Sequence, residues 1–369
     1  MTIATRQKVQ RFGDHHNAFG FLRLLLASLV IVSHTPQLVD GNRDRELVSR
    51  LFPSLTFGDL AVDGFFIISG FLITGSYLGS KGVVSYLRKR VARIYPGFIV
   101  SSLICVLIVG PVTGAYFKGG AIWALGSTVA HMALLLPPAM ANVFAGTPYR
   151  VLNGSAWTIQ YEFVCYLLVI LLGRLGLLKS WLPIAAASLV CLALFGLAPD
   201  LLGNPLNRLP LHNVILLGDR SAILRLGGLF LAGAAFYLAQ DRVPLRKPHL
   251  AAAFVCLCLT LLDARTAALG LGIFGSYVLL AIAALGSGTI LSRINNRNDI
   301  SYGVYLYAWP IEKALIWFGF TTNLLALGLA TFVLAALAGA ISWFLIEKPA
   351  MRFGRSPASV NPASIPAQT

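Results

Sequence analysis

The sequence is poor in charged residues. Asp, Glu, Lys and Arg make up only 12% of its 369 residues, whereas 57% are hydrophobic. Ordinary soluble domains have about 25% charged and about 45–50% apolar residues. A water-soluble fold of this length could not bury so much apolar surface. The composition therefore excludes an ordinary soluble protein and favours one integral membrane domain with no separate soluble domain.

The sequence also lacks features that other classes of protein show. Its five cysteines all lie within apolar runs, and neither their odd number nor their spacing fits a disulfide framework or a zinc site. We therefore predict no metal site. Residues 1–17 are polar, and no small-residue cleavage site follows the next apolar run, so we expect no cleavable signal. No internal repeat is visible, which weakens an interpretation as an inverted-repeat transporter.

The net charge of +15 comes from short basic clusters rather than from one basic face. The Lys and Arg residues fall between apolar runs, where they orient helices by lying on the cytoplasmic side of a membrane. We therefore expect the lipid bilayer as a partner and no binding to nucleic acid.

Apolar runs long enough to span a membrane as helices recur along nearly the whole chain. We predict about ten spans, at residues 18–39, 60–78, 94–114, 161–178, 181–198, 223–239, 250–263, 267–286, 300–320 and 324–346. An eleventh run, 121–138, is expected to dip into the membrane or to lie at its surface. With that arrangement all the basic clusters and both termini are cytoplasmic.

The predicted fold is therefore all-α, a polytopic membrane helix bundle. Residues 1–17 are predicted to form a cytoplasmic N-terminal segment and residues 18–353 the membrane domain. Residues 354–369 are rich in Pro, Ala and Ser, and we predict that they form a disordered cytoplasmic tail.

Arg23 and His34 are the most informative pair of ionisable residues. They lie eleven positions apart in the first span, about 20° beyond three helical turns and about 16 Å along the axis. Ionisable groups inside a membrane are costly and usually functional. A cation towards the cytoplasm and an imidazole towards the outer leaflet would connect the two sides chemically. Alternatively, Arg23 snorkels to the inner interface and His34 lies among the outer headgroups.

A basic segment and a small-residue pair mark the second and third spans. Arg90 and Arg93, with Lys89 beside them, have the i,i+3 spacing of one helical face. Arginine forks suit phosphate, and coenzyme A is a polyphosphate. A positive-inside anchor explains the same cluster. Ser69 and Gly70 lie amid bulky apolar residues, where a small pair lets a helix or a ligand approach closely.

Two carboxylates lie near the predicted starts of spans. Glu162 and Asp63 are at or within the membrane boundary, and either could orient His34, since a histidine with a carboxylate partner is a common general base. Acidic residues at helix starts also interact favourably with the helix dipole, which leaves a structural role open for both.

The order of these motifs resembles that of the transmembrane acyltransferase-3 family, over about residues 17–353. The motifs are Arg23 with ten residues before His34, and the segments 62–72 (VDGFFIISGFL), 90–96 (RVARIYP), 157–162 (WTIQYE), 300–306 (ISYGVYL) and 346–349 (IEKP). That family includes bacterial O-acetylases of lipopolysaccharide O-antigen, Nod factors and exopolysaccharides. The resemblance implies a multi-pass protein of the bacterial cytoplasmic membrane.

The resemblance also implies an activity and a set of site residues. An acyl group, most simply acetyl, would pass from cytoplasmic acyl-CoA to a hydroxyl of an extracytoplasmic glycan or lipid-linked saccharide, with His34 as the general base. Glu162 and Asp63 are further catalytic candidates. The candidates for binding acyl-CoA are Arg23, Arg90, Arg93, Ser69, Gly70 and Lys89, and those for the acceptor or pocket are Trp157, Tyr302, Tyr305 and Trp309.

The sequence departs from the family pattern in two ways. Many members carry a histidine where this chain has Ala308, so His34 is expected to act without a second histidine. We expect no appended extracytoplasmic hydrolase-like domain after residue 353, and we therefore expect acceptor selection from the membrane domain or from a partner. That partner would be a second copy of the chain or a polysaccharide-assembly complex.

Two functions of other classes stay open at this point. One is a transporter or flippase for a lipid-linked glycan, in which the intramembrane ionisable groups line a translocation path. The other is a non-catalytic membrane subunit of a polysaccharide-assembly complex.

Overall fold

A computed structural model describes residues 17–52, 55–197 and 219–354. Within these ranges the chain forms helices and no β-strand, apart from an isolated bridge between Tyr116 and Ala141. The all-α prediction is therefore confirmed. Residues 1–16 of the predicted N-terminal segment, residues 355–369 of the predicted tail and most of the predicted loop after residue 198 lie outside the described residues.

The longer helices of the described chain are numbered here α1 to α11. In chain order they are Phe19–Asp40 (α1), Phe57–Leu78 (α2), Val83–Val112 (α3), Ala121–Ala133 (α4), Trp157–Arg174 (α5), Trp181–Leu197 (α6), Arg220–Ala239 (α7), Lys247–Thr260 (α8), Ala264–Leu285 (α9), Ser301–Trp317 (α10) and Leu324–Gly354 (α11).

Each predicted span coincides with a helix. Seven of the described helices, α1, α2, α3, α5, α7, α9 and α11, are long and apolar enough to cross a membrane. Helices α6, α8 and α10 have 17, 14 and 17 residues. They are therefore about 21–26 Å long, shorter than a hydrocarbon core of about 30 Å. The chain is a polytopic helical bundle.

Helix α3 begins at Val83 rather than at residue 94, where the sequence analysis placed the start of the span. Pro96 and Gly97 lie inside this helix, after the basic cluster, and do not interrupt it. Lys and Arg are good helix formers. The 30-residue helix is about 45 Å long, so its basic first turns extend beyond the apolar core. Arg90 and Arg93 therefore lie on a helix and not in a loop.

Helix α4 has 13 residues and is about 20 Å long. It is too short to cross a membrane, as expected for the doubtful run 121–138. None of its residues is buried, and Ile122 and Leu125 expose 90% and 67% of their surface. So much exposed apolar surface suits a position in or against the bilayer.

Small residues allow the helices to approach closely. Gly70 on α2 lies against the backbone carbonyl of Phe230 on α7, where any side chain would collide. Gly303 on α10 lies against Gly339 on α11, where an added Cβ atom would come within 2.5 Å of the Gly339 Cα atom. Contacts between small residues are typical of helix interfaces in membranes.

Helix α10 is the most enclosed element around the candidate site. All residues from Gly303 to Pro310 are buried, and the helix packs against α1, α3 and α11. Helix α1 packs against α2 as well as α10. The side chains considered below are carried mainly by α1, α2, α3, α5 and α10.

Candidate functional site

Two cavities lie along helix α1. Arg23, Arg90 and Arg93 line the first, which we call the arginine cavity and which has a volume of about 140 Å³. His34 lines the second, which we call the histidine cavity and which has a volume of about 230 Å³. Eleven positions separate Arg23 from His34, so these two residues lie at different depths of the bundle, about 16 Å apart along α1.

Asp299 binds two of the three arginines of the arginine cavity. Its Oδ2 atom lies 3.3 Å from Nη2 of Arg23 and 2.7 Å from Nη2 of Arg93. Its Oδ1 atom accepts hydrogen bonds from Asn295 at 2.9 Å and from the Ser301 hydroxyl at 2.5 Å. Asp299 lies in the connection between α9 and α10, and it therefore ties this connection to α1 and α3.

The surroundings of Asp299 keep its carboxyl group ionised. Burial alone would raise the pKa of Asp299, but the guanidinium groups of Arg23 and Arg93, with the hydrogen bonds from Ser301 and Asn295, lower it from 3.8 to about 2. A negative charge therefore stands permanently beside the two arginines and offsets part of their charge.

Arg93 has a second carboxylate partner. Its Nη1 atom lies 3.4 Å from Oε2 of Glu347 on α11, and its guanidinium lies 5.5 Å and 5.7 Å from the ring centres of Tyr302 and Trp343. With Asp299 as the other partner, Arg93 has two acidic groups within ion-pair distance. Its position is therefore fixed by the fold and its charge is balanced.

Arg90 has no carboxylate partner among the described residues. Its Nη2 atom donates to the Ser76 hydroxyl at 3.3 Å, and its guanidinium lies 5.9 Å and 5.8 Å from the ring centres of Tyr86 and Tyr166. Its Nε atom is buried and has no hydrogen-bond partner within the described chain. Arg90 is therefore the arginine of this cavity best able to bind an anion.

Glu162 belongs to the arginine cavity. Its Oε1 atom accepts hydrogen bonds from Ser69 at 3.1 Å and from the Tyr166 hydroxyl at 2.6 Å, and all three residues line that cavity. Tyr302 lines it too and donates its hydroxyl to the carbonyl oxygen of Ile94 at 2.9 Å. Seven of the predicted site residues thus line one cavity: Arg23, Ser69, Arg90, Arg93, Glu162, Tyr302 and Tyr305.

His34 interacts with an amide rather than with a carboxylate. Its Nδ1 atom lies 3.2 Å from Oε1 of Gln37, one turn further along α1. Its ring meets Trp309 edge-to-face with ring centres 4.9 Å apart. When Nδ1 donates to the amide oxygen, Nε2 carries the free lone pair of the neutral imidazole. The expectation that Asp63 or Glu162 orients His34 is therefore not met by the contacts of this ring.

Asp63 instead pairs with Arg225 on α7. The Asp63 side chain is fully buried, and its two oxygens lie 3.0 Å and 2.8 Å from Nε and Nη2 of Arg225. Arg225 also lies 3.2 Å from Asp59. Asp63 therefore joins α2 to α7 through this ion pair. Arg225 also lines the histidine cavity.

The histidine cavity has a polar lining and one exposed aromatic side chain. Ser33, Asp59 and Ser155 contribute oxygen atoms, and Trp157 exposes 43% of its surface. The Ser155 hydroxyl is buried and has no hydrogen-bond partner within the described chain. Polar groups beside an exposed indole ring can bind a ligand that carries many hydroxyl groups.

Tyr305 and Val62 line both cavities. The Tyr305 hydroxyl donates to the carbonyl oxygen of Ser155 at 2.5 Å and lies 2.6 Å from the Thr158 hydroxyl. These two residues therefore stand where the arginine cavity meets the histidine cavity, and we call them the Val62–Tyr305 junction.

Four predicted site residues line neither of these two cavities. Asp63 is bound to Arg225 and Gly70 packs against α7, as described above. Lys89 donates to the Ser80 hydroxyl at 3.2 Å. Trp309 donates to the carbonyl oxygen of Val151 at 3.3 Å and touches His34 through its ring. Within the described chain, no group of His, Cys, Asp or Glu side chains could hold a metal ion.

Sequence reasoning missed several of the partners found here. Asp299 directly precedes the 300–306 motif, and Glu347 lies inside the 346–349 motif, so both could have been singled out as acids next to recognised segments. Gln37 stands three residues after His34, a spacing that brings side chains together on a helix. Arg225 was detectable as a lone cation near the start of an apolar run.

Comparisons with known proteins agree with this arrangement of motifs. The sequence model of the acyltransferase domain family matches residues 16–347. The O-acetyl transferase of Shigella phage Sf6 is 27% identical over 346 residues, which cover 90% of this chain and 95% of the relative. Nodulation protein 10 of Rhizobium leguminosarum bv. viciae is 28% identical over 365 residues, with 93% and 95% of the two chains covered.

A third relative and the solved structures complete the comparison. Acyltransferase MdmB of Streptomyces mycarofaciens is 26% identical over 361 residues, covering 90% of each chain. No solved structure matches the chain. Since the family match covers nearly the whole chain and seven described helices can cross a membrane, the protein belongs to the acyltransferase domain family and is a multi-pass membrane acyltransferase.

Proposed function

We propose that the protein transfers an acetyl group from cytoplasmic acetyl-CoA to a hydroxyl of a glycan on the outer side of the bacterial cytoplasmic membrane. The observation that carries this proposal is the pair of cavities along α1, one lined by arginines and one by His34, which share the Val62–Tyr305 junction. An anionic donor suits the first cavity and a polyhydroxylated acceptor suits the second.

The arginine cavity can hold the donor without moving its charged half across the membrane. Arg90, which has no carboxylate partner among the described residues, offers its guanidinium to the phosphates of coenzyme A, and arginine forms forked hydrogen bonds with phosphate oxygens. Phe66, Ile68 and Leu72 supply an apolar wall for the pantetheine arm. The thioester would then lie at the junction, within reach of the histidine cavity.

His34 is proposed to act as the general base. Its Nε2 atom takes the proton of the acceptor hydroxyl while that oxygen attacks the thioester carbonyl carbon. The C–S bond of the resulting tetrahedral intermediate then breaks, and the departing thiolate receives a proton from the imidazolium. Gln37 favours the tautomer in which Nε2 is the base, because its amide oxygen accepts the Nδ1 proton.

The negative oxygen of the tetrahedral intermediate needs a hydrogen-bond donor. The hydroxyls of Ser69 and Tyr302 already donate to Glu162 and to the Ile94 carbonyl. We assign the role to Ser155, whose buried hydroxyl has no partner within the described chain and which lines the histidine cavity.

The relatives support the oxygen acceptor and the acetyl group. The phage protein is named an O-acetyl transferase and the Streptomyces protein an acyltransferase. A glycan acceptor is supported by the polar lining of the histidine cavity and by the exposed Trp157 ring.

The proposal predicts that His34→Ala abolishes O-acetylation of the surface glycan. General base catalysis typically contributes about 10²–10⁴-fold to a rate, so the acetyl content should fall at least 100-fold at equal membrane levels of the protein. The measurement is mass spectrometry of surface polysaccharide from a deletion strain that expresses either form. His249→Ala is the matched control. It changes an exposed histidine near the start of α8 and should leave acetylation unchanged.

Two results would contradict this prediction. Normal acetylation with His34→Ala would remove the catalytic role of the imidazole. Normal acetylation together with loss of glycan export would indicate transport instead.

A further inference from the structure

The Val62–Tyr305 junction places two side chains with apolar surface where the two cavities adjoin. Val62 on α2 and Tyr305 on α10 each line both cavities. A group that reaches from the arginine cavity to the histidine cavity by the route between these two side chains contacts both of them. Both present apolar surface, since Val62 has only methyl groups and Tyr305 uses its hydroxyl elsewhere.

Tyr305 is held rigidly at the junction. Only 7% of its surface is exposed. Its hydroxyl is bound on two sides, by the Ser155 carbonyl at 2.5 Å and by the Thr158 hydroxyl at 2.6 Å. Its ring and that of Phe65 are packed edge-to-face with ring centres 5.9 Å apart. Moving the ring aside would leave buried polar groups without partners, which is unfavourable.

Val62 is similarly restricted. Its β-branched side chain has one strongly preferred rotamer in a helix. Phe65 and Phe66, at i+3 and i+4, continue the same face of α2 along the arginine cavity. The two side chains of the junction therefore have little freedom to move aside for a larger group.

We propose that Val62 and Tyr305 set the length of the acyl group that the protein transfers, and that they limit it to acetyl. This inference rests on the proposed function, because it requires the thioester to lie at the junction. The methyl group of acetyl fits beside Val62. Each further methylene of propionyl or butyryl then has to displace a side chain of the junction.

The inference is tested by competition between two donors. Inside-out membrane vesicles from cells that make the acceptor glycan receive equal concentrations of ¹⁴C-acetyl-CoA and ³H-propionyl-CoA. The ratio of the two labels in the extracted glycan measures selectivity independently of the amount of protein. Wild type should incorporate much more acetyl than propionyl.

Val62→Ala should raise the propionyl-to-acetyl ratio at least tenfold while acetyl transfer continues. One methylene in a fitted pocket changes selectivity by about 10–200-fold. Val62→Ile, which adds a methylene to the junction, should lower the ratio further. Val169→Ala is the matched control, because it removes the same methyl groups from a buried valine of α5 that lines neither cavity. Its ratio should equal that of wild type.

A ratio within twofold of wild type in an active Val62→Ala protein would overturn the inference. If that variant does not fold, an unchanged ratio in Val62→Ile overturns it equally. The proposed function fails in a different way, namely when wild-type vesicles label the glycan from neither donor.

Discussion

Arg90 and Arg93 share one face of helix α3 but have different electrostatic surroundings. Arg93 has Asp299 and Glu347 within ion-pair distance, whereas Arg90 has a hydroxyl and two aromatic rings as neighbours. The family resemblance implies a donor-site role for both. From these contacts we propose that Arg90 binds phosphate and that Arg93 has a positioning role.

Arg90→Ala is therefore expected to weaken acetyl-CoA binding by about tenfold or more, which corresponds to one lost hydrogen bond between charged groups. The affinity of this variant for acetyl-CoA should also depend less on salt concentration than that of wild type, since screening by salt acts on charge pairs. Binding of acetyl-CoA to protein in lipid nanodiscs, measured over a range of salt concentrations, checks this.

Two variants serve as comparisons for Arg90→Ala. Arg88→Ala removes an exposed arginine of the same helix and should leave the affinity unchanged. Arg93→Ala should reduce thermal stability and preserve the salt dependence of binding in the protein that stays folded. Equal losses of affinity and of salt dependence in Arg90→Ala and Arg93→Ala would contradict the division of roles.

At the scale of elements, the connection between α9 and α10 links three helices through one side chain. Asp299 binds Arg23 of α1 and Arg93 of α3, and it accepts the hydroxyl of Ser301 at the start of α10. Removing its charge would take one ion-pair partner away from each of the two guanidinium groups in a largely enclosed site. Breaking a buried ion pair of this kind typically destabilises a protein by about 3 kcal/mol.

The pKa of Asp299 predicts how this link depends on pH. Its carboxyl group titrates near 2 in the folded protein and near 3.8 otherwise. Because the folded value is the lower one, the ionised carboxylate stabilises the fold fully above about pH 4, and this contribution is lost as the pH falls from about 4 to about 2.

Thermal unfolding in detergent between pH 6 and pH 2.5 measures this dependence. Asp299→Asn should unfold at a lower temperature than wild type at pH 6, and the difference should shrink as the pH falls below 4. Asp44→Asn, at an exposed aspartate between α1 and α2, should follow the wild-type curve throughout. A constant difference between Asp299→Asn and wild type over the whole range would show that the charge of Asp299 is not what stabilises the fold.

The helices themselves were predictable from local sequence. A sufficiently long apolar run in a chain with few charges strongly favours a membrane helix. The start of α3 was not predictable, since the basic residues 88–93 orient helices and also form helix well. A rule that treats a basic cluster as a loop therefore places the start of the helix too late.

In the molecule as a whole, the sequence was most informative about residues that share one helix. The spacing of eleven residues predicts that Arg23 and His34 lie at different depths of α1, and each lines a different cavity. Partners that come from distant segments could not be read in this way. Arg225 reaches Asp63 across 162 residues and Asp299 reaches Arg93 across 206 residues, and only the packing of the bundle brings them together.

The same limit applies to Tyr305. Its place in the 300–306 motif made it a pocket candidate, but nothing local indicates that it lines both cavities or that Ser155 and Thr158 fix its hydroxyl. The arginine cavity and the histidine cavity are both formed by residues from several helices, so their positions are a property of the assembled bundle.

We propose that a cytoplasmic donor and an acceptor from the other side of the membrane meet at His34. The proposal can be tested in sealed inside-out vesicles that are supplied with ¹⁴C-acetyl-CoA outside and then treated with a membrane-impermeant esterase. We expect wild type to place label on glycan inside the vesicles, where the esterase removes it only after the vesicles are opened, and His34→Ala to place none. Label that the esterase removes from sealed vesicles, or full labelling by His34→Ala, would contradict it.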